Sequence, residues 1–154
     1  MYDSKTNLII GFHGCDEDIR NKLLNRPNFI NKSEKPYDWL GHGFYFWENN
    51  FERAHQWAKD KEKRGEITKA SVIGAVISLN NCLDLTESKF IKTVTSYYEL
   101  MSTEYSEINA ELPKNTDAKN DIHKDKLVRE LDCAVIEFMH QKISEQISID
   151  KLSD

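Results

Sequence analysis

Trp39-Leu40-Gly41-His42-Gly43-Phe44-Tyr45-Phe46-Trp47-Glu48 sets two glycines around a histidine and follows them at once with four aromatic residues. Glycine lacks a Cβ and lets a backbone come close to a ligand. Aromatic rings offer flat apolar faces on which a planar heterocycle can stack. Residues 43–47 read as a strand. Period-two alternation puts Gly43, Tyr45 and Trp47 on one face and Phe44, Phe46 and Glu48 on the other. One face then offers bare backbone beside a tyrosine and a tryptophan, and the other fills a core. Upstream, Leu8-Ile9-Ile10-Gly11-Phe12-His13-Gly14 is a short apolar run closing on His-Gly, and it reads as a buried strand.

Helical signals flank these runs. Asp16, Glu17 and Asp18 load negative charge onto a helix start, Ile19, Leu23 and Leu24 give an apolar face, and Pro27 lies beyond the end. Residues 28–38 are polar and contain Pro36, as a loop would. Phe51, Ala54, Trp57 and Ala58 recur at helical spacing up to Arg64, and Gly65 is a stop signal. Residues 70–80 predict a third, well-buried strand. Asp84-Leu85-Thr86-Glu87 reads as an N-cap with a carboxylate three residues on. It opens a helix with the apolar face Phe90, Val94, Tyr97, Met101, Tyr105 and Ile108, ended by Pro113. Residues 114–125 read as a loop. A last helix carries Leu127, Leu131, Ala134, Val135 and Phe138, and Ser144–Asp154 has little periodicity. Three strands and four helices predict an α+β class.

Composition narrows the function. A net charge of −5 argues against broad nucleic-acid binding. No apolar run reaches the roughly 18 residues a membrane span needs. The start Met1-Tyr2-Asp3-Ser4-Lys5 has no apolar signal core, which points to the cytoplasm. Three widely spaced cysteines, Cys15, Cys82 and Cys133, without a CxxC pair fit a reducing compartment and no structural metal. His13, Cys15 and His42 match no common metal-ligand spacing. Cys133 reads as core and His140 as surface, since a nucleophile and its base normally come from different elements.

His13-Gly14 at a strand end can present one aimed imidazole and an unobstructed backbone, or be a core histidine beside a turn glycine. The strand of Gly43 and Tyr45 is either a stacking platform or a sandwich core. The combination resembles the ADP-ribosyltransferase superfamily, and within it the diphtheria-toxin and poly(ADP-ribose) polymerase branch. That branch has His-Gly at the end of an early strand and a Gly-x-Gly-x-Tyr-Phe strand followed by a short helix. Those features stand here at His13-Gly14, at Gly41–Phe46 and at Phe51–Arg64. The resemblance covers residues 8–80. Trp39–Glu48 is also similar to a bacterial Trp-Leu-Gly-His-Gly-x-Tyr-Phe-Trp-Glu signature.

The resemblance implies one domain over 1–154, with an NAD-facing core at 8–80 and a helical part at 84–145, equivalent to the N-terminal portion of that fold. NAD would be the substrate. His13 would bond a hydroxyl of the nicotinamide ribose, and Gly14, Gly43 and Phe44 would contribute cofactor contacts. Tyr45 would pack near the nicotinamide. Trp57 would be the second aromatic, although an ungapped match puts Gln56 there and helix core is its bland alternative. Cleaving the nicotinamide–ribose bond develops positive charge on the sugar, as in glycoside hydrolysis. A carboxylate on a late strand normally stabilises it, and no such strand is legible after Asn80. The similar bacterial proteins continue past a Leu-Asp-Cys-Ala-Val-Ile helix, matched here at Leu131–Ile136. Glu48 is the better substitute and Glu137, read as solvated surface, the weaker one. The catalytic set is then His13, Tyr45 and Glu48, the acceptor an unidentified macromolecule, and the role that of a bacterial toxin or phage-defence effector. The alternatives are an inactive, truncated module whose sheet edge takes a second chain or a copy of itself, and a helical interaction protein whose aromatic strand is only core.

Overall fold

The computed structural model describes residues 3–4, 8–29, 31–119 and 124–152. Residues 120–123 of the expected loop and the last two residues of the expected tail, 153–154, lie outside them. The described residues are α+β, with four helices and small antiparallel sheets. They form two compact units. One comprises Met1–Asn31 with Phe44–Leu83, and the other Lys32–Gly43 with Asp84–Asp154. The aromatic stretch of the sequence is therefore divided between units at Gly43/Phe44.

In the first unit β1 (Asp3–Ser4), β2 (Leu8–Asp16), α1 (Glu17–Asn25), β3 (Trp47–Glu48), α2 (Phe51–Lys63), β4 (Ala70–Ser78) and β5 (Asn81–Cys82) follow in order. The main sheet runs β3-β2-β4, all antiparallel, with β2 central. β2 and β4 pair along their whole length, from Leu8↔Ser78 to Asp16↔Ala70. β3 meets β2 only at Gly11↔Glu48 and Phe12↔Trp47. Asp16 ends β2 and caps α1, accepting from Asp18 N (3.2 Å) and Thr68 N (2.6 Å). These N–H groups, Thr68 first, hold its carboxyl below the usual range. α2 is capped by Asn50, whose side chain accepts from Arg53 N at 2.9 Å.

α2 rests on β2 through small residues. Ala54 and Ala58 are fully buried. A Cβ at Gly14 would run into the Ala54 carbonyl oxygen and come within 3.3 Å of the Ala58 Cβ. Glycine is required here by close approach. Further along the same face, Phe12 meets Phe51 edge-on at 5.7 Å.

The second unit holds α3 (Ser88–Glu107), β6 (Asn115–Thr116), β7 (Val128–Arg129) and α4 (Glu130–Leu152). α3 packs on α4. Its core contains Phe90, Met101, Val135, Ile136 and Met139, all at or below 5% exposure. Asn115 Oδ1 accepts from Leu131 N (3.0 Å) and Asp132 N (3.4 Å), which satisfies two N–H groups at the α4 start. Lys142 pairs with Glu104 at 2.7 Å.

Five expectations are corrected. The strand at 43–47 is not formed. Gly43 exchanges backbone bonds with Ser33 (2.8 and 3.0 Å), and only Trp47–Glu48 joins β2. The strand expected over 70–80 ends at Ser78 and is half open, with Val76 70% exposed. The Asp84 carboxylate caps no helix. It bonds Thr86 N (3.0 Å) and Oγ1 (2.6 Å) in a local turn, and α3 begins at Ser88. That helix ends at Glu107 rather than at Pro113, with Asn109 in the left-handed region (φ 53°), and Ile108 is exposed. The last helix begins after Leu127 and continues through the stretch read as aperiodic. The i,i+4 bonds Gln141–Glu145 and Ser148–Ser144, both 2.8 Å, link successive turns of that polar segment.

Gly14→Ala should cost about 1–3 kcal/mol through forced separation of α2 from β2. Urea denaturation should register this as a lower midpoint at unchanged slope.

Candidate functional site

In the first unit the site is built around His13. Alternation along β2 puts Ile9, Gly11, His13 and Cys15 on one face and Ile10, Phe12 and Gly14 on the face under α2. His13 Nδ1 lies 2.8 Å from the Tyr45 carbonyl oxygen. A carbonyl only accepts, so Nδ1–H donates and the neutral ring keeps its lone pair on Nε2. Burial pushes the imidazole below its ordinary 6.5; the bond to the Tyr45 carbonyl pulls it back and the charge of Lys61 lowers it further. Nε2 makes no hydrogen bond among the described residues. The half-buried ring is thus held neutral, with one acceptor free.

The aromatic ring beside this imidazole is Phe46, with centroids 5.7 Å apart. Tyr45 meets His13 through its backbone. The bond extends the grip of β2 on this segment one residue past the last ladder pair, Phe12↔Trp47.

Gly14 contributes a second feature. The Ile10 carbonyl accepts from Asn49 N at 2.9 Å. Backbone groups alternate sides along an antiparallel strand. Those of Ile10, Phe12 and Gly14 therefore face the β3 side. The β2–β3 ladder stops at Phe12, so the N–H and C=O of Gly14 stand beyond it.

Glu48 lies opposite Gly11, and directly opposed residues share a sheet face. Its exposed carboxylate is therefore on the same side as His13. Phe44 is exposed in the same unit. Trp57 is 40% exposed, not helix core, and carries Lys61 and Arg64 against its ring, each at 5.6 Å. Gly43 belongs to the second unit, in its bridge with Ser33.

The second unit holds an arrangement that the sequence did not announce. Gly41 has φ +79°, and a Cβ there would lie 2.6 Å from Glu137 Oε1 and 2.7 Å from Ile136 Cγ2. Glu137 Oε1 accepts from His42 N (2.6 Å), and Oε2 lies 3.4 Å from His42 Nδ1. Glu137 is thus a clasp for the Gly41-His42 loop, not the solvated side chain expected. Trp39 Nε1 donates to the Leu127 carbonyl at 3.0 Å, with the Arg129 guanidinium over its ring at 5.4 Å. Cys133 Sγ lies 3.6 Å from the Lys35 carbonyl. Burial, then Glu137 and Asp38, push this thiol up, which disfavours a nucleophilic thiolate.

An open apolar groove of ≈ 450 Å³, lined among others by Trp39, Leu40, Ile91 and Tyr98, lies in the second unit, as does a second hollow of ≈ 580 Å³ beside Tyr105 and Pro113. Neither is lined by His13, Tyr45 or Trp57, so these hollows and the imidazole chemistry are separate features. No group of three or more His, Cys, Asp or Glu residues could hold a metal ion, and no helix is long and apolar enough to cross a membrane, among the described residues. Compared with protein-family models, curated proteins and solved structures, the chain matches none.

The lowered value of His13 has a consequence for stability. The unfolded ring titrates near 6.5 and the folded ring below it. Between those values the unfolded chain binds the extra proton. The contribution is complete above the unfolded value and is lost as pH falls through the folded one. Thermal midpoints between about pH 5 and 8 should decline on the acid side, and His13→Asn should flatten that part of the profile. An unchanged profile in the variant would exclude His13 as its source.

Proposed function

We propose that this chain is an ADP-ribosyltransferase-like protein that binds NAD beside β2 and transfers ADP-ribose to a macromolecular acceptor with release of nicotinamide. The observation that carries the reading is the His13–Tyr45 bond. It fixes the tautomer of an imidazole whose burial favours the neutral form, leaving Nε2 as acceptor, the polarity needed to receive a ribose hydroxyl proton. The Gly14 backbone beyond the β3 ladder can receive a carboxamide, which needs one donor and one acceptor. Phe46, Tyr45 and Phe44 supply apolar surface for the nicotinamide. A ligand stacking on Trp57 would compete with the Lys61 and Arg64 side chains that lie against its ring. Glu48 is the carboxylate on the His13 side, available to stabilise the oxocarbenium-like sugar. A cytoplasmic toxin or phage-defence effector fits this chemistry.

A binding module without turnover is the second reading. It is favoured by one observation: after β4, the described strands β5, β6 and β7 have two residues each. None offers the long late strand on which the resembled enzymes carry their carboxylate.

NAD should raise the thermal midpoint of the wild type, because it binds only the folded state. His13→Ala should abolish that rise while remaining folded. Glu48→Gln should keep the rise and, if Glu48 serves the chemistry, reduce nicotinamide release by about 10²-fold or more. A His13→Ala protein that still responds fully to NAD would refute the site, and NAD binding without any nicotinamide release would select the second reading.

A further inference from the structure

We infer that β4 is an interface at which two copies of this chain join their sheets in antiparallel fashion. Among the described residues no strand pairs with the far side of β4. The register fixes which groups stand there. Since the backbone of Gly14 faces β3, that of His13 faces β4 and bonds its partner Ile73. Ala70, Val72, Gly74, Val76 and Ser78 then turn their N–H and C=O groups outward. The first of these is already closed, because Ala70 N donates to Glu62 Oε1 at 2.8 Å. That bond agrees with the assigned direction.

The strand Ala70-Ser71-Val72-Ile73-Gly74-Ala75-Val76-Ile77-Ser78 holds no charge and no proline. Those are the usual devices that keep an edge from pairing. Its outward groups match an antiparallel copy of themselves. A two-fold axis at Gly74 sets Gly74 against Gly74 and Val72 against Val76 on both sides. These opposed pairs exchange about six hydrogen bonds, two per pair.

Charge and packing favour this occupant and this direction. In the register about Gly74, Lys69 of one copy falls opposite Leu79 of the other, so the two ammonium groups sit at opposite ends of the seam. A parallel copy would bring them side by side. Val76 is 70% exposed, and its cross-strand neighbour Ile10 is 49% exposed. The seam lays Val72 of the second copy against Val76 and lengthens this apolar row. Two β-branched residues directly opposed are a favourable cross-strand pair.

Light scattering on the full chain tests this. The wild type should have twice the 18.0 kDa chain mass. Val76→Pro deletes one outward donor and leaves the inner ladder, and Val76→Lys adds a charge at the seam. Both should run as monomers with unchanged far-UV circular dichroism. If the proline variant fails to fold, the lysine variant decides. Leu8→Lys, on the same exposed face but away from the edge, should remain dimeric. A wild type that stays monomeric at its highest attainable concentration overturns the proposal. So does a dimer that survives the folded Val76 variants or that Leu8→Lys dissociates. None of these outcomes depends on NAD.

Discussion

The bond from His13 Nδ1–H to the Tyr45 carbonyl is where fold and proposed chemistry meet. β3 contributes only two ladder pairs, too few to fix the approach of the aromatic segment. The imidazole supplies the next attachment from a side chain. That choice has an electrostatic effect as well. Burial first, and the Lys61 charge with it, favour the neutral ring against the upward pull of this bond, and the bond then directs the lone pair to Nε2. The same contact that positions the segment thereby defines a hydrogen-bond acceptor.

Gly14 makes the neighbouring constraint. Its missing side chain lets the Ala54-Ala58 surface of α2 settle against β2, and its backbone groups lie past the point where β3 stops. Gly14 is thereby buried under α2, and the proposed carboxamide contact uses only the backbone edge that lies beyond the β3 ladder. Glu48 adds a carboxylate on the His13 side of the sheet through pairing with Gly11 alone.

The legible part of the molecule was its periodic part. The Leu8–Gly14 strand, the acidic helix start at Asp16–Asp18, the Phe51–Lys63 helix and the α+β class follow from an apolar run, helix-dipole charge and helical spacing, although Leu8 and Ile10 are exposed where a buried strand was expected. The segment 43–47 departs from a strand because its alternation is real while its backbone partners are scattered: Ser33 pairs with Gly43, the His13 side chain takes the Tyr45 carbonyl, and only Trp47 joins the β2 ladder. Asp84 looked like a helix cap, yet its carboxylate found Thr86 first. Glu137 could not be found from the sequence, since it lies 95 positions from His42 and nothing local distinguishes it from other helical glutamates. The polar end of α4 showed no apolar stripe, and i,i+4 side-chain bonds occur there instead. Local rules failed at Gly43, Tyr45 and His42 because distant partners satisfied the backbone, and at Asp84 and along α4 because the local partners were polar side chains rather than the ones the apolar pattern names.

Nitrogen-15 NMR of the His13 ring tests the central claim most directly. Near neutral pH it should show Nδ1 protonated with a coupling path to the Tyr45 carbonyl, Nε2 unprotonated, and an Nε2 resonance that moves when NAD is added. An Nε2–H tautomer, an imidazolium at neutral pH, or an Nε2 signal indifferent to saturating NAD would contradict the account.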